Sequence, residues 1–126
     1  MNFISFTLIF LYAGISGITN DNNCQKYFDG IWKYDELPMS KIYVVRTYKK
    51  QYEYVEDGKY FYEYNIKWLD DCKYEMTYIK TTSPNTAKIK PGEKLTVNIL
   101  EISKNHTMYK TIFRNSEEIG EMSRIN

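Results

Sequence analysis

The chain has 126 residues, with 17 Lys and Arg against 16 Asp and Glu, a formal charge of +1 and room for one domain. That near-neutral balance speaks against nucleic acid as a partner, which calls for a basic stripe. One histidine and two cysteines far apart make a poor zinc site, so neither metal nor cofactor is expected.

Phe3 to Ile18, FISFTLIFLYAGISGI, is a nearly unbroken apolar run without a charged side chain. It is short for a membrane span, and small residues (Gly14, Ser16, Gly17) follow its core, as a secretory signal requires near its cleavage site. Residues 1–19 are therefore expected to be a signal peptide, although the terminal amine is the n-region's only positive charge. An uncleaved N-terminal anchor is the alternative. Cleavage would export the protein to a periplasm or the extracellular space and leave no membrane span. Residues 20–126, roughly 105 of them, then form a single β domain with one modest core. Cys24 and Cys72 fit one disulfide in an oxidising compartment, with Cys72 buried because it shares parity with Trp68 and Tyr74. Asp21-Asn22-Asn23 ahead of Cys24 are not the small aliphatic residues that lipid attachment needs.

Tyr27 to Tyr34 opens the first strand with an aromatic, a glycine and a tryptophan. Leu37 to Ser40 breaks the pattern as a loop. Lys41 to Thr47 is β-branched and strand-like, and Tyr48-Lys49-Lys50 turns the chain into Gln51 to Glu56. Asp57-Gly58 is a strong hairpin signal, with Gly supplying positive φ. Tyr60 to Lys80 alternates with a period of two: Tyr60, Tyr62, Tyr64, Ile66 and Trp68, then Cys72, Tyr74, Met76 and Tyr78 on one face, with Glu63, Asn65, Lys67, Lys73, Glu75 and Thr77 between them. Side chains alternate faces in a strand, so these are two half-buried strands, and a hairpin at Leu69-Asp70-Asp71 keeps both aimed at one core. Thr82 to Lys94 is a loop marked by Pro84 and Pro91-Gly92. Leu95 to Ile102, Thr107 to Arg114 and Ile119 to Ile125 complete eight strands, turning at Ser103–His106 and Asn115–Glu118. The expected fold is all-β: an antiparallel eight-stranded meander that closes into a small barrel and so removes its exposed edges.

Two resemblances attach to particular residues. Gly30-x-Trp32 at the head of the first strand resembles the entry motif of lipocalins and other calycin barrels. That resemblance implies that Trp32 closes one end, covered by Arg124 of the last strand. A wider pattern is Cys24, Phe28-x-Gly30-x-Trp32, Arg46, Gln51-x-Glu53, Ile66-x-Trp68-x-x-x-Cys72-x-Tyr74, Gly92-x-x-Leu95-x-Val97-x-Ile99 and Tyr109. It resembles a family of small exported bacterial proteins without an established activity, some labelled topoisomerase. The resemblance implies export and a β fold. A neutral chain of this size cannot supply the machinery that cleaves and rejoins DNA.

Arg46, Gln51 and Glu53 stand out as candidate site residues. A two-residue turn between Thr47 and Lys50 puts Arg46 opposite Gln51, with Glu53 one pair further on the same side. Ile42, Val44 and Val55 share that side. An inward trio would grip a ligand carboxylate or phosphate through paired donors, or the three would satisfy one another. If Tyr43, Val45, Tyr52 and Tyr54 point inward instead, the trio is solvated. Asp70-Asp71 read as turn residues rather than a calcium site, which needs more oxygen ligands. Asn105-His106-Thr107 matches a glycosylation acceptor. The single histidine lacks a nucleophile partner, so no catalytic residue is assigned and an enzyme is not expected. The expected role is non-catalytic binding of a small hydrophobic, lipid-like or anionic ligand in the barrel. The alternative is an envelope protein with a filled core that contacts other proteins.

Overall fold

The computed structural model describes residues 24–85 and 88–125; the signal peptide read over residues 1–19 lies outside them. A short 3-10 turn, Gln25–Tyr27, leads into eight strands. They are β1 Gly30–Tyr34, β2 Ile42–Arg46, β3 Lys50–Val55, β4 Tyr60–Asp70, β5 Lys73–Thr81, β6 Lys94–Ile102, β7 His106–Phe113 and β8 Ser116–Arg124. Each pairs antiparallel with the next, and β1 pairs with β8, so the sheet is a closed barrel. Among the described residues, no helix is long and apolar enough to cross a membrane.

Alternation sorts the side chains. Trp32, Val44, Tyr64, Ile66, Tyr74, Met76, Tyr78, Val97 and Met122 point inward and are buried. The long strands keep that parity through bulges, each of which places one extra residue opposite its partner strand. Leu69 is extra between the pairs Trp68–Tyr74 and Asp70–Lys73, and Leu100 between Ile99–Tyr109 and Glu101–Met108. Both leucines are exposed, because the bulge that restores the inward face for their neighbours turns them out.

Three turns differ from expectation. The β4–β5 reversal is at Asp71-Cys72 instead of Leu69–Asp71, since the Leu69 bulge carries β4 one residue further. Cys72 therefore sits half-buried at the hairpin tip rather than inside; its partner Cys24 is the buried one. The last hairpin turns at Arg114-Asn115, both with positive φ, a two-residue geometry whose twist matches the strands it joins. Ser116 to Glu118, expected in that turn, begin β8. The Asp57-Gly58 signal marks a four-residue loop, Glu56 to Lys59, between Val55 and Tyr60. Here Glu56, Asp57 and Gly58 all take positive φ.

Candidate functional site

The two ends of the barrel differ. One is plugged. Phe28, just past the 3-10 turn, is fully buried against Trp68 and Tyr74, with edge-on rings 4.9 and 5.0 Å apart. The Trp32 indole N–H donates to the Phe28 carbonyl at 3.0 Å. Arg124 pairs with Trp32 in the β1–β8 register and lays its guanidinium over the indole at 4.6 Å. The same guanidinium donates to the carbonyl oxygens of Lys104, Asp29 and Tyr27 at 2.5, 2.6 and 2.5 Å. A Cys24–Cys72 disulfide ties the lead-in to the β4–β5 hairpin at this end. One charged side chain thus joins the chain entry, β1 and the β6–β7 turn.

The other end opens into a cavity of about 330 Å3. Met76, Leu95, Val97 and Met122 line its walls, and Leu37, Ile42, Glu118 and Ile119 its mouth. Arg46, Gln51 and Glu53 all reach it, because β2 and β3 pair Arg46 with Gln51 and Val44 with Glu53 across the two-residue turn at Tyr48-Lys49.

Arg46 lies at the floor, only 5% exposed. Its Nε donates to Gln51 Oε1 at 3.0 Å and its Nη2 to the Tyr74 hydroxyl at 3.1 Å. Its flat face rests on Phe28 at 4.5 Å. Among the described residues, no carboxylate lies within ion-pair distance of Arg46, and Nη1 has no acceptor. Two of the guanidinium's five N–H donors are used, and Arg46 lines the cavity.

Glu53 sits higher. The Tyr34 hydroxyl donates to its carboxylate at 3.0 Å, and the Gln51 amide reaches the same oxygen at 3.5 Å. Burial pushes the Glu53 carboxyl above the usual range and outweighs the Tyr34 hydrogen bond, the Arg46 charge and the Gln51 amide, all of which pull it down. Protein surrounds Glu53, yet its side chain keeps water-accessible area because it faces the cavity. Burial also raises the phenols of Tyr34, Tyr64, Tyr74 and Tyr109, so each stays a neutral hydrogen-bonding group.

Tyr109 reaches the cavity by an arrangement that the sequence did not disclose. It pairs with Gly120 across β7 and β8, and a Cβ at position 120 would collide with its hydroxyl and ring. The bare glycine lets the phenol lie across β8. A glycine inside a strand pattern is the signal that marks such a close approach. Tyr64 and Tyr74 were already on the inner parity, and Tyr34 falls two residues after Trp32. The outward tyrosines, Tyr43, Tyr52 and Tyr54, gather with Phe61 on the outer face of β2–β4, their ring centroids 5.2 to 6.3 Å apart.

The cavity therefore offers a buried cation, a carboxyl disposed to hold a proton, an amide and a set of neutral phenols above apolar walls. His106 lies at the start of β7, outside the barrel. No protein-family model matches the chain, and no curated protein is similar to it in sequence.

Proposed function

We propose that the protein is an exported, non-catalytic binder of a small amphiphilic anion, held head-down in a lipocalin-like barrel. The observation that supports this most directly is Arg46: a buried guanidinium at the floor of a cavity, with an unused arm and, among the described residues, no carboxylate paired to it. A ligand carboxylate or phosphate would take up that arm, and the apolar part of the ligand would run along Met76, Leu95, Val97 and Met122 toward the mouth. A volume of about 330 Å3 is at the small end of ligand pockets, which favours a short acid over a long lipid. Glu53 fits the same picture. Two carboxylates beside one guanidinium in a low-dielectric site cannot both stay ionised cheaply, so a bound anion would drive Glu53 to take up a proton. The pocket supplies donors and an apolar wall, which suit the binding of such a ligand.

Native mass spectrometry of the protein exported by its own host tests the reading. The expected result is a retained small acid that is absent from an Arg46→Met variant, a replacement that a buried site tolerates because it removes a desolvated charge and keeps the bulk. A bare mass for the wild type, with no spectral change on titration with short fatty acids and aromatic carboxylates, overturns it. Export itself rests on the apolar run Phe3 to Ile18 and on the disulfide, which suits an oxidising compartment. N-terminal sequencing of the exported protein should begin between Gly17 and Asp21. A full-length N-terminus in the membrane fraction would show a retained anchor instead.

The outer aromatic cluster of Tyr43, Tyr52, Tyr54 and Phe61 favours a second reading, an envelope module that contacts another protein through its sheet face. Substituting Tyr52 and Tyr54 with Ser would abolish such contacts and leave ligand retention untouched.

A further inference from the structure

Asp35, just after β1, meets His106 and Glu121 of the β7–β8 hairpin on the outside of the barrel. Their ligand-type atoms lie within 4.8 Å of one another. His106 Nε2 is 3.1 Å from Glu121 Oε1 and 3.3 Å from Asp35 Oδ2. We propose that these three side chains form a binding site for a divalent cation of the zinc class, at the seam where the first and last strands close the barrel.

The donor set selects the metal. One imidazole nitrogen with two carboxylate oxygens suits zinc and its neighbours, whereas calcium and magnesium take oxygen ligands. Two carboxylates and a neutral imidazole also match a dication in charge. The spacing agrees. Zinc–ligand bonds of about 2.0–2.2 Å in a tetrahedron put neighbouring ligand atoms roughly 3.3 Å apart. Both distances from His106 have that value within a few tenths of an ångström. Three protein ligands then leave one position facing solvent.

The backbone holds each ligand in place. The Asp35 amide donates to the Glu121 carbonyl at 3.1 Å, which extends the β1–β8 ladder by one rung beyond Tyr34–Met122. His106 pairs with Ser123 two residues along β8 from Glu121. Its own amide is anchored by the Ser103 hydroxyl at 3.2 Å, and its carbonyl by the Ser103 amide at 2.8 Å. The Ser123 hydroxyl donates to Asp35 Oδ1 at 2.6 Å, occupying one carboxylate oxygen and leaving Oδ2 directed at the histidine. Outer partners of this kind orient metal ligands. Lys33, which faces Ser123 in the register, sends its ammonium to the Tyr34 carbonyl at 3.3 Å.

The position gives the metal something to do. The β1–β8 ladder has three paired residues, Trp32–Arg124, Lys33–Ser123 and Tyr34–Met122, fewer than any other strand pair in the barrel. A cation bridging Asp35 to β7 and β8 would clamp that seam from outside, opposite the Trp32–Arg124 contact within it.

The test uses the exported, disulfide-bonded protein stripped with a chelator, then titrated calorimetrically with zinc and spectroscopically with cobalt. The expected result is one metal per chain, the visible absorption of four-coordinate cobalt, and a shift of the single imidazole resonance, unambiguous because the chain has one histidine. His106→Gln and Glu121→Gln should each weaken zinc binding at least a hundredfold, and Ser123→Ala about tenfold. Near-UV circular dichroism identifies any variant that fails to fold, and the remaining variants carry the comparison. No binding at millimolar zinc overturns the proposal and leaves an imidazole hydrogen-bonded to Glu121 beside Asp35. Wild-type affinity in folded His106→Gln overturns it equally.

Discussion

Arg124 ties the chain entry, β1 and the β6–β7 turn together, so its replacement is a sharp test of how the structure holds together. Hydrogen bonds that involve a charged group contribute about 1.5–3 kcal/mol where water is excluded. Of its three carbonyl contacts, those to Lys104 and Asp29 are at the exposed rim, where water can replace the guanidinium, and the one to Tyr27 is partly buried. Counting the Tyr27 contact at about 2 kcal/mol and the stacking on Trp32 at about 1 kcal/mol gives a loss of roughly 3 kcal/mol for Arg124→Ala. Trp32, fully buried in the native state, would also lose apolar cover. Arg124→Lys keeps the charge and one carbonyl contact but has no planar face to stack, so it should cost about 1–1.5 kcal/mol. In a domain of this size each kcal/mol lowers Tm by about 4–8 °C, which puts the alanine variant roughly 12–24 °C below wild type. Urea denaturation of both variants measures the effect, with the m-value expected to stay constant because the folded surface does not change. An alanine variant within about 0.5 kcal/mol of wild type would refute the reasoning and show that strand pairing alone closes the barrel.

Reducing the Cys24–Cys72 bond, which spans a sequence separation of 48, should destabilise the fold by up to about 4 kcal/mol on the chain-entropy account; denaturant midpoints with and without reductant measure it. Glu53 has a raised carboxyl pKa in the folded state, so the folded protein binds its proton more tightly than the unfolded chain does. Its contribution is therefore most favourable at acid pH and is lost as pH rises from the unfolded value through the folded one. Glu53→Gln should accordingly gain stability on wild type as pH rises above the ordinary carboxylate range, and a gap that is constant with pH would contradict the buried-carboxyl account. Gly120→Ala should cost about 1–3 kcal/mol by overpacking, since the new methyl meets the Tyr109 ring. A Tyr109→Ala background should abolish most of that penalty.

The period of two was enough to reveal the barrel. Tyr60 to Tyr78 alternates so regularly that most of the inner face of β4 and β5 was readable, Cys72 and Glu63 excepted. The face that Arg46, Gln51 and Glu53 occupy stayed open until the structure placed them at the cavity, although the Arg46–Gln51 pairing followed from the turn at Tyr48-Lys49. Local backbone physics decides these features, because a strand's side chains alternate whatever surrounds it. The exact turns were less legible. Bulges at Leu69 and Leu100 shift the register by one residue, and they depend on how neighbouring strands pair rather than on the composition of either strand. Contacts across the closed seam were legible only where a resemblance suggested them, as with Trp32 and Arg124. Tyr109 over Gly120 was marked only by a glycine inside a strand pattern, and Asp35 with His106 and Glu121 had no local signature at all. Tyr109 and Gly120 face each other across the β7–β8 hairpin, whereas Asp35 reaches His106 and Glu121 only when eight strands curl until the last meets the first. A sequence specifies which face a residue occupies through its immediate neighbours. Which distant residue shares that face is set by closure, a property of the whole sheet.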